Sequence, residues 1–114
     1  MKQIIPLLMT LFLISAATDL QKGIASYYGY KFEGRKTSSG EILRNDSLYA
    51  AHKTLPFGTI VKVVNLKNDS VVFVKIIDRM SQKSSRIIDL TQAAAKQLNF
   101  INAGLTTVTL EVIE

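Results

Sequence analysis

The sequence predicts a mainly β fold, a small closed barrel with one short helix, preceded by an export leader. Runs rich in β-branched residues recur at short intervals and are bounded by Gly, Pro, Asn and Asp. Only one stretch in the body of the chain reads as a helix. The 114 residues include no cysteine, so a single domain must be held by its core rather than by disulfides. Many short strands leave many edges, and closure into a barrel removes them.

The elements follow in order. Met1-Lys2, the apolar run Ile4–Ile14 and the small residues Ser15-Ala16-Ala17 have the layout of a secretory signal peptide cleaved near Ala17. The apolar run is shorter than the roughly 20 residues a membrane-spanning helix needs. The expected division is therefore a signal peptide over 1–17 and a barrel domain over 18–114, its core at about 23–113. Gly23–Tyr28 reads as a strand ending at Gly29. A polar loop runs from Tyr30 to Asn45, with Gly34 and Gly40 as flexible points. Leu48–Ala51 is short and apolar, and Pro56-Phe57-Gly58 is a turn. Thr59–Val64 and Val71–Ile77, joined at Asn68-Asp69, form a hairpin. Thr91–Leu98 is the helix, with Thr91 placed to cap its start and Asn99 to end it. Thr106–Ile113 alternates into a last strand.

Several chemistries fail on inventory. One histidine and no cysteine make a zinc site improbable. No nucleophile elbow and no glycine-rich phosphate loop are present. The net charge of +5 suits an acidic polymer or an anionic envelope surface, or simple solubility. The lysines are scattered and no basic run is interleaved with aromatics, so nucleic acid is not the expected partner.

Four acid/base candidates sit at the rims of elements, where barrels carry their chemistry. Glu41 lies in "TSSGE". His52, the only histidine, lies in "AAHKTLPFGT". Asp78 ends the apolar strand in "IIDRM", and Asp89 follows two isoleucines in "RIIDLT". Partial desolvation would raise the Asp78 pKa, as a general acid near neutral pH needs. Pairing with Arg79 or Arg86, or capping of a turn, stays open for the same residue. Asp89 stands where a helix N-terminus favours a carboxylate. Taken singly, Glu41 reads equally as a loop charge and His52 as a satisfied edge histidine.

"GIASYYG", "GRKTSSGE", "AAHKTLPFGTIVKVVNL", "DR" and "RIIDLTQAAAKQL" occur in that order, before a closing "VTLEVI". Together they resemble the rare lipoprotein A-like double-psi β-barrel family, related in fold to expansins and small endoglucanases. The resemblance covers about Gly23 to Ile113. It implies a six-stranded barrel with two crossing connections and lytic transglycosylase activity on peptidoglycan glycan strands stripped of stem peptides. The expected cut is at the MurNAc-GlcNAc β-1,4 bond, leaving 1,6-anhydromuramyl ends. It implies Glu41, His52 and Asp78 as the catalytic set, lining one groove. Asp89, Lys53, Thr37, Ser38, Tyr28 and Arg79 are expected as substrate-binding or supporting residues. No cofactor, no metal and a monomer are expected, in the periplasm or cell envelope. Two departures stand out. Met80-Ser81 replaces the family's Gly-Pro after Asp-Arg, so that loop is expected to be less rigid or differently shaped. No cysteine offers a lipid anchor. The rival expectation is a non-catalytic, expansin-like wall-binding module.

Overall fold

The computed structural model describes residues 20–114; the expected leader and its cleavage site lie outside the described residues. Six strands form one closed barrel: β1 (Leu20–Tyr27), β2 (Tyr49–His52), β3 (Ile60–Asn65), β4 (Val71–Arg79), β5 (Arg86–Leu90) and β6 (Thr106–Val112). Around the barrel the order is β1-β5-β2-β4-β3-β6. The pairs β1/β5 and β2/β4 are parallel and the rest antiparallel. Parallel neighbours cannot be joined by a tight turn, so the chain must cross over twice to close the barrel.

The β3–β4 hairpin is built by valines. Val61, Val63, Val72 and Val74 face inward and are buried, while Lys62 and Phe73 pair on the outer face. Asp69 takes a left-handed φ of 62° at its turn, a conformation Asp tolerates better than most residues. Ile76, Ile88, Leu90, Val108 and Leu110 complete the barrel interior. Helix α1 (Gln92–Gln97) packs Ala94 and Ala95 against this core, backed by Leu98 and Phe100. Asn65 is the one polar side chain of β3 that turns inward. Its amide donates to Leu98 O, and its Oδ1 accepts from Lys67 N and Thr106 Oγ1. All its polar atoms are thus satisfied, which is what burial requires.

One strand is added and two local expectations are revised. Arg86–Leu90 is a full strand, although its alternation is obscured. Ile24 pairs with Arg86 and Ala25 with Ile88, so Ile87 is the extra residue of a β-bulge. Gly23 makes room for it: a Cβ there would stand 2.7 Å from Ile87 Cγ2. Thr91 occupies the N-cap position but does not cap. Its hydroxyl donates to Ser47 O and accepts from Tyr49 N, tying the helix start to the β2 approach. The cap comes instead from Asn45, whose Oδ1 accepts from Gln92 N and whose backbone O accepts from Ala93 N. Asn99, with φ of 59°, ends the helix as its side chain allows. Finally, β1 begins at Leu20, because Leu20–Gly23 pairs with the far end of β6.

Candidate functional site

A second bulge sets the position of Asp78. Ala50 pairs with Ile76, and Ala51 with Asp78, leaving Ile77 as the extra residue of β4. Inward positions on β4 are Val72, Val74 and Ile76. Strict alternation would turn Asp78 inward as well, and the bulge turns it out. Ala51 pairs with Asp78 on one side and with Asp89 on the other, and Asp89 pairs with Ser26. Directly paired residues share a face of the sheet, so the two carboxylates flank Ala51. Their Cα atoms lie about two strand spacings, or ~10 Å, apart. Ala51 itself is buried between them.

Asp78 is an acceptor surrounded by donors. Tyr28 Oη donates to Oδ2 at 2.5 Å. Oδ1 accepts from Ser38 N and Ser38 Oγ, both at 3.0 Å, and from Arg79 N at 2.9 Å. The Ser38 loop is a tight turn. Gly40 N donates to Thr37 O, Thr37 Oγ1 donates to Glu41 O, and Gly40 has a φ of 96°, which favours glycine. Ser39 N donates to Ile77 O and pins this turn beside the bulge.

These contacts correct the expected pKa. Burial is the largest single influence on Asp78 and pushes its carboxyl up. The bonds from Tyr28, Ser38 and Arg79 together outweigh it and hold the carboxyl below its ordinary range. At neutral pH the site therefore presents a carboxylate. The same contact acts oppositely on its partner. Burial first, then the bond to Asp78, push the Tyr28 phenol far above its usual value, so Tyr28 stays a proton donor. Asp78 makes no ion pair with Arg79 or Arg86. Arg86 instead grips Asp89, with Nε to Oδ1 at 2.9 Å and Nη2 to Oδ2 at 3.2 Å, and Ser26 Oγ donates to Asp89 Oδ1 at 2.6 Å. Asp89 is thus held in the sheet rather than at the helix N-terminus.

A cavity of about 430 Å³ opens over this row. It is lined by Tyr28, Thr37, Ser38, Asp78, Arg79 and Asp89, all singled out in the sequence, and by Phe32, Arg35, Lys36 and Leu43, which were not. The signal for Arg35 and Lys36 was their place in "GRKTSSGE", beside the turn that grips Asp78. A wider concavity of about 660 Å³ lies beside α1 but holds neither Asp78 nor Asp89.

Glu41, His52 and Lys53 do not line the Asp78 cavity, and the single groove expected for the three catalytic candidates is revised accordingly. Glu41 stands close by on the outer face. Its carboxylate pairs with Lys75 at 3.1 Å, and Lys75 pairs with Tyr49, one outward position along from Ala51. His52 follows Ala51 directly, and alternation sends it to the opposite face. It is 4% exposed. Its Nδ1 accepts from Thr54 N at 3.1 Å and Leu55 N at 3.0 Å, and Nε2 lies 3.0 Å from Gln21 Oε1. Those bonds make Nε2 the protonated nitrogen of a neutral ring. Burial, followed by Arg79 and Lys53, lowers its pKa in agreement. Lys53 Nζ donates to Ser84 O and Gln82 Nε2 donates to Lys53 O. The Met80-Ser81 loop is therefore tied down, with Met80 buried and Ser84 N donating to Ser81 O. Arg79 stacks its guanidinium 4.2 Å from the Phe57 ring centroid, which gives the Pro-Phe-Gly turn its contact with β4. Among the described residues no cluster of three or more His, Asp or Glu is placed to hold a metal ion.

The family model described as "Lytic transglycolase" matches residues 20–110. The endolytic peptidoglycan transglycosylase RlpA of Campylobacter jejuni is 48% identical over 100 residues, covering 88% of this chain and 36% of that protein. Its counterpart from Pasteurella multocida is 50% identical over 93 residues, covering 81% and 31%. The chain spans about a third of the length of these curated relatives. In three dimensions the barrel resembles the apo expansin of Clavibacter michiganensis, with a TM-score of 0.68 and 20% identity over 84% of this chain and 51% of that one. At that identity the likeness is one of fold.

Proposed function

Because this chain belongs to the lytic transglycolase family, we propose that its barrel cuts peptidoglycan glycan strands endolytically in the cell envelope. The bond cleaved is the MurNAc-GlcNAc β-1,4 linkage, and Asp78 is the group that moves the proton. The observation that carries this reading is the Asp78 carboxylate, which has no ion-pair partner among the described residues and is gripped by four donors in the lining of a cavity.

One such group is enough for this reaction. The C6 hydroxyl of the muramic acid residue attacks C1 of the same sugar, and the C1–O bond to the next sugar breaks. Tethered attack is worth on the order of 7–11 kcal/mol when aligned. Asp78 gives its proton to the leaving oxygen, and the resulting carboxylate accepts the proton of the C6 hydroxyl. Asp78 must gain a proton first, since it rests as a carboxylate. A sugar covering the cavity expels water and strengthens the burial that already pushes this carboxyl up. Tyr28 and Ser38 position Asp78. Glu41, through Lys75, and Arg79, over Phe57, border the strand path on either side of it. His52 acts from behind, by fixing the Thr54-Leu55 turn with its ring nitrogen.

The resting charge of Asp78 also favours a second reading, an expansin-like module that holds glycan through a permanent carboxylate acceptor and does not cut. Incubation with peptide-free glycan strands, followed by mass spectrometry of the products, separates the readings. Anhydromuramyl ends support the transglycosylase, reducing ends indicate hydrolysis, and binding without products supports the module.

A further inference from the structure

The wider concavity beside α1 has no part in the chemistry above, and its lining is unlike the Asp78 cavity. Tyr30 is 72% exposed on the short 3-10 turn Tyr30–Phe32. Across the concavity stand Asn45, Asp46, Gln92 and Lys96, with Glu33 at its edge. Glu33 and Asp46 against Lys96 leave one net negative charge, so the surface does not select an anion. An aromatic face beside amide and carboxylate groups matches a neutral sugar, whose ring offers an apolar C–H face and a rim of hydroxyls.

Asn45 provides an independent observation. It is 5% exposed, and its Oδ1 is taken by Gln92 N. Its Nδ2 has no hydrogen-bond partner among the described residues. A buried donor left unpaired is costly and calls for an acceptor that is absent from the protein itself. The atom is enclosed in the wall of the concavity, so the acetamido carbonyl of an N-acetylhexosamine reaches it only with a small shift of that wall. The position is also suitable for a chain that continues from the Asp78 cavity. The turn Tyr30–Phe32 separates the two, with Phe32 lining one and Tyr30 the other. Gln92 bridges them, since its side chain donates to Tyr28 O.

We propose that this concavity is a second sugar subsite, taking a neutral N-acetylhexosamine unit of a β-1,4-linked chain stacked on Tyr30. The choice of ligand rests on the glycan reading above; the site itself does not depend on cleavage. Its volume, about 660 Å³, lies within the usual range of ligand sites.

The probe is the β-1,4-linked hexamer of N-acetylglucosamine, titrated into ¹⁵N-labelled protein. Backbone resonances of Tyr30, Asn45, Gln92 and Lys96 are expected to shift. Tyr30→Ala should weaken binding about three- to tenfold, the range an aromatic contact supplies, and Tyr30→Phe should restore most of it. On peptide-free glycan strands, Tyr30→Ala should raise KM and leave kcat within about twofold. Shifts confined to the residues around Asp78, or unchanged affinity and KM in Tyr30→Ala, would overturn the subsite while leaving the transglycosylase reading intact. Shifts at Tyr30 and Gln92 with the hexamer, and no products from peptide-free glycan strands, would sustain the subsite and defeat the transglycosylase.

Discussion

Replacing Asp78 by asparagine changes one proton and almost no volume, so its effects can be followed bond by bond. The three donors on Oδ1, from Ser38 N, Ser38 Oγ and Arg79 N, retain a carbonyl acceptor. The fourth contact, from Tyr28 Oη, meets an amide N–H; the phenol oxygen then accepts where it used to donate. All four contacts survive in neutral form. A hydrogen bond to a charged group is worth roughly 1 kcal/mol more than a neutral one, and partial exposure of this site reduces the difference. The expected loss of stability is therefore about 1–3 kcal/mol, which lowers Tm without unfolding the barrel. Activity is a different matter, because no other unpaired carboxylate faces the cavity to replace the lost proton. Release of anhydromuramyl products should fall by about 10²- to 10⁴-fold. Binding of peptide-free strands should remain within a few-fold of wild type. The assay is product release by mass spectrometry alongside binding to the same strands. Wild-type turnover by Asp78→Asn, with the fold intact, would refute the assignment of the proton to Asp78.

Three further outcomes follow from the same geometry. If the protonated Asp78 carries the first step, kcat/KM should decline by about tenfold per pH unit above its depressed pKa, across the neutral range; a flat or rising profile contradicts this order of events. His52→Ala should cost about 1–3 kcal/mol by stranding the Thr54 and Leu55 N–H groups, and should reduce turnover less than Asp78→Asn does. The folded His52 pKa lies below the unfolded value, so its neutral form contributes stability that is complete above about pH 6.5 and is lost as pH falls from there through the folded pKa. Denaturant titrations of wild type and His52→Ala at pH 7.5 and pH 5 should therefore converge at the lower pH. Asn65→Ala strands the buried Thr106 hydroxyl and frees Lys67 N in the turn, and calorimetry should show a loss of about 1–3 kcal/mol, or a Tm lower by the order of 5–20 °C.

The strands of this barrel were legible because each is short, β-branched and regular. Val61 and Val63, Val72 and Val74, and Val108 and Leu110 alternate with outward residues in strict period two, and a period needs no tertiary information. Helix α1 was legible from its alanines, and its end from Asn99. The strand β5 was hidden because a bulge at Ile87 breaks the alternation, and only the pairing with β1 makes the break a strand. The same limit governed the site. Ala51 and His52 are neighbours in the chain, and period two alone assigns them opposite faces. Nothing in the sequence tells which face holds Asp78, because the bulge at Ile77 reverses the parity of β4 at its end. The Asp78 pKa was misjudged for a related reason. Burial can be inferred from an apolar strand, whereas three of the four donors that overcome it come from residues 28 and 38, far away in the chain. The Asn45 cap and its unpaired amide likewise belong to a contact with residue 92. The sequence by itself determined the residue types, the strand periods and the chemical inventory of one barrel with one acid/base set. Register, parity and charge state depend on contacts across tens of residues, and those were decided by closure of the barrel.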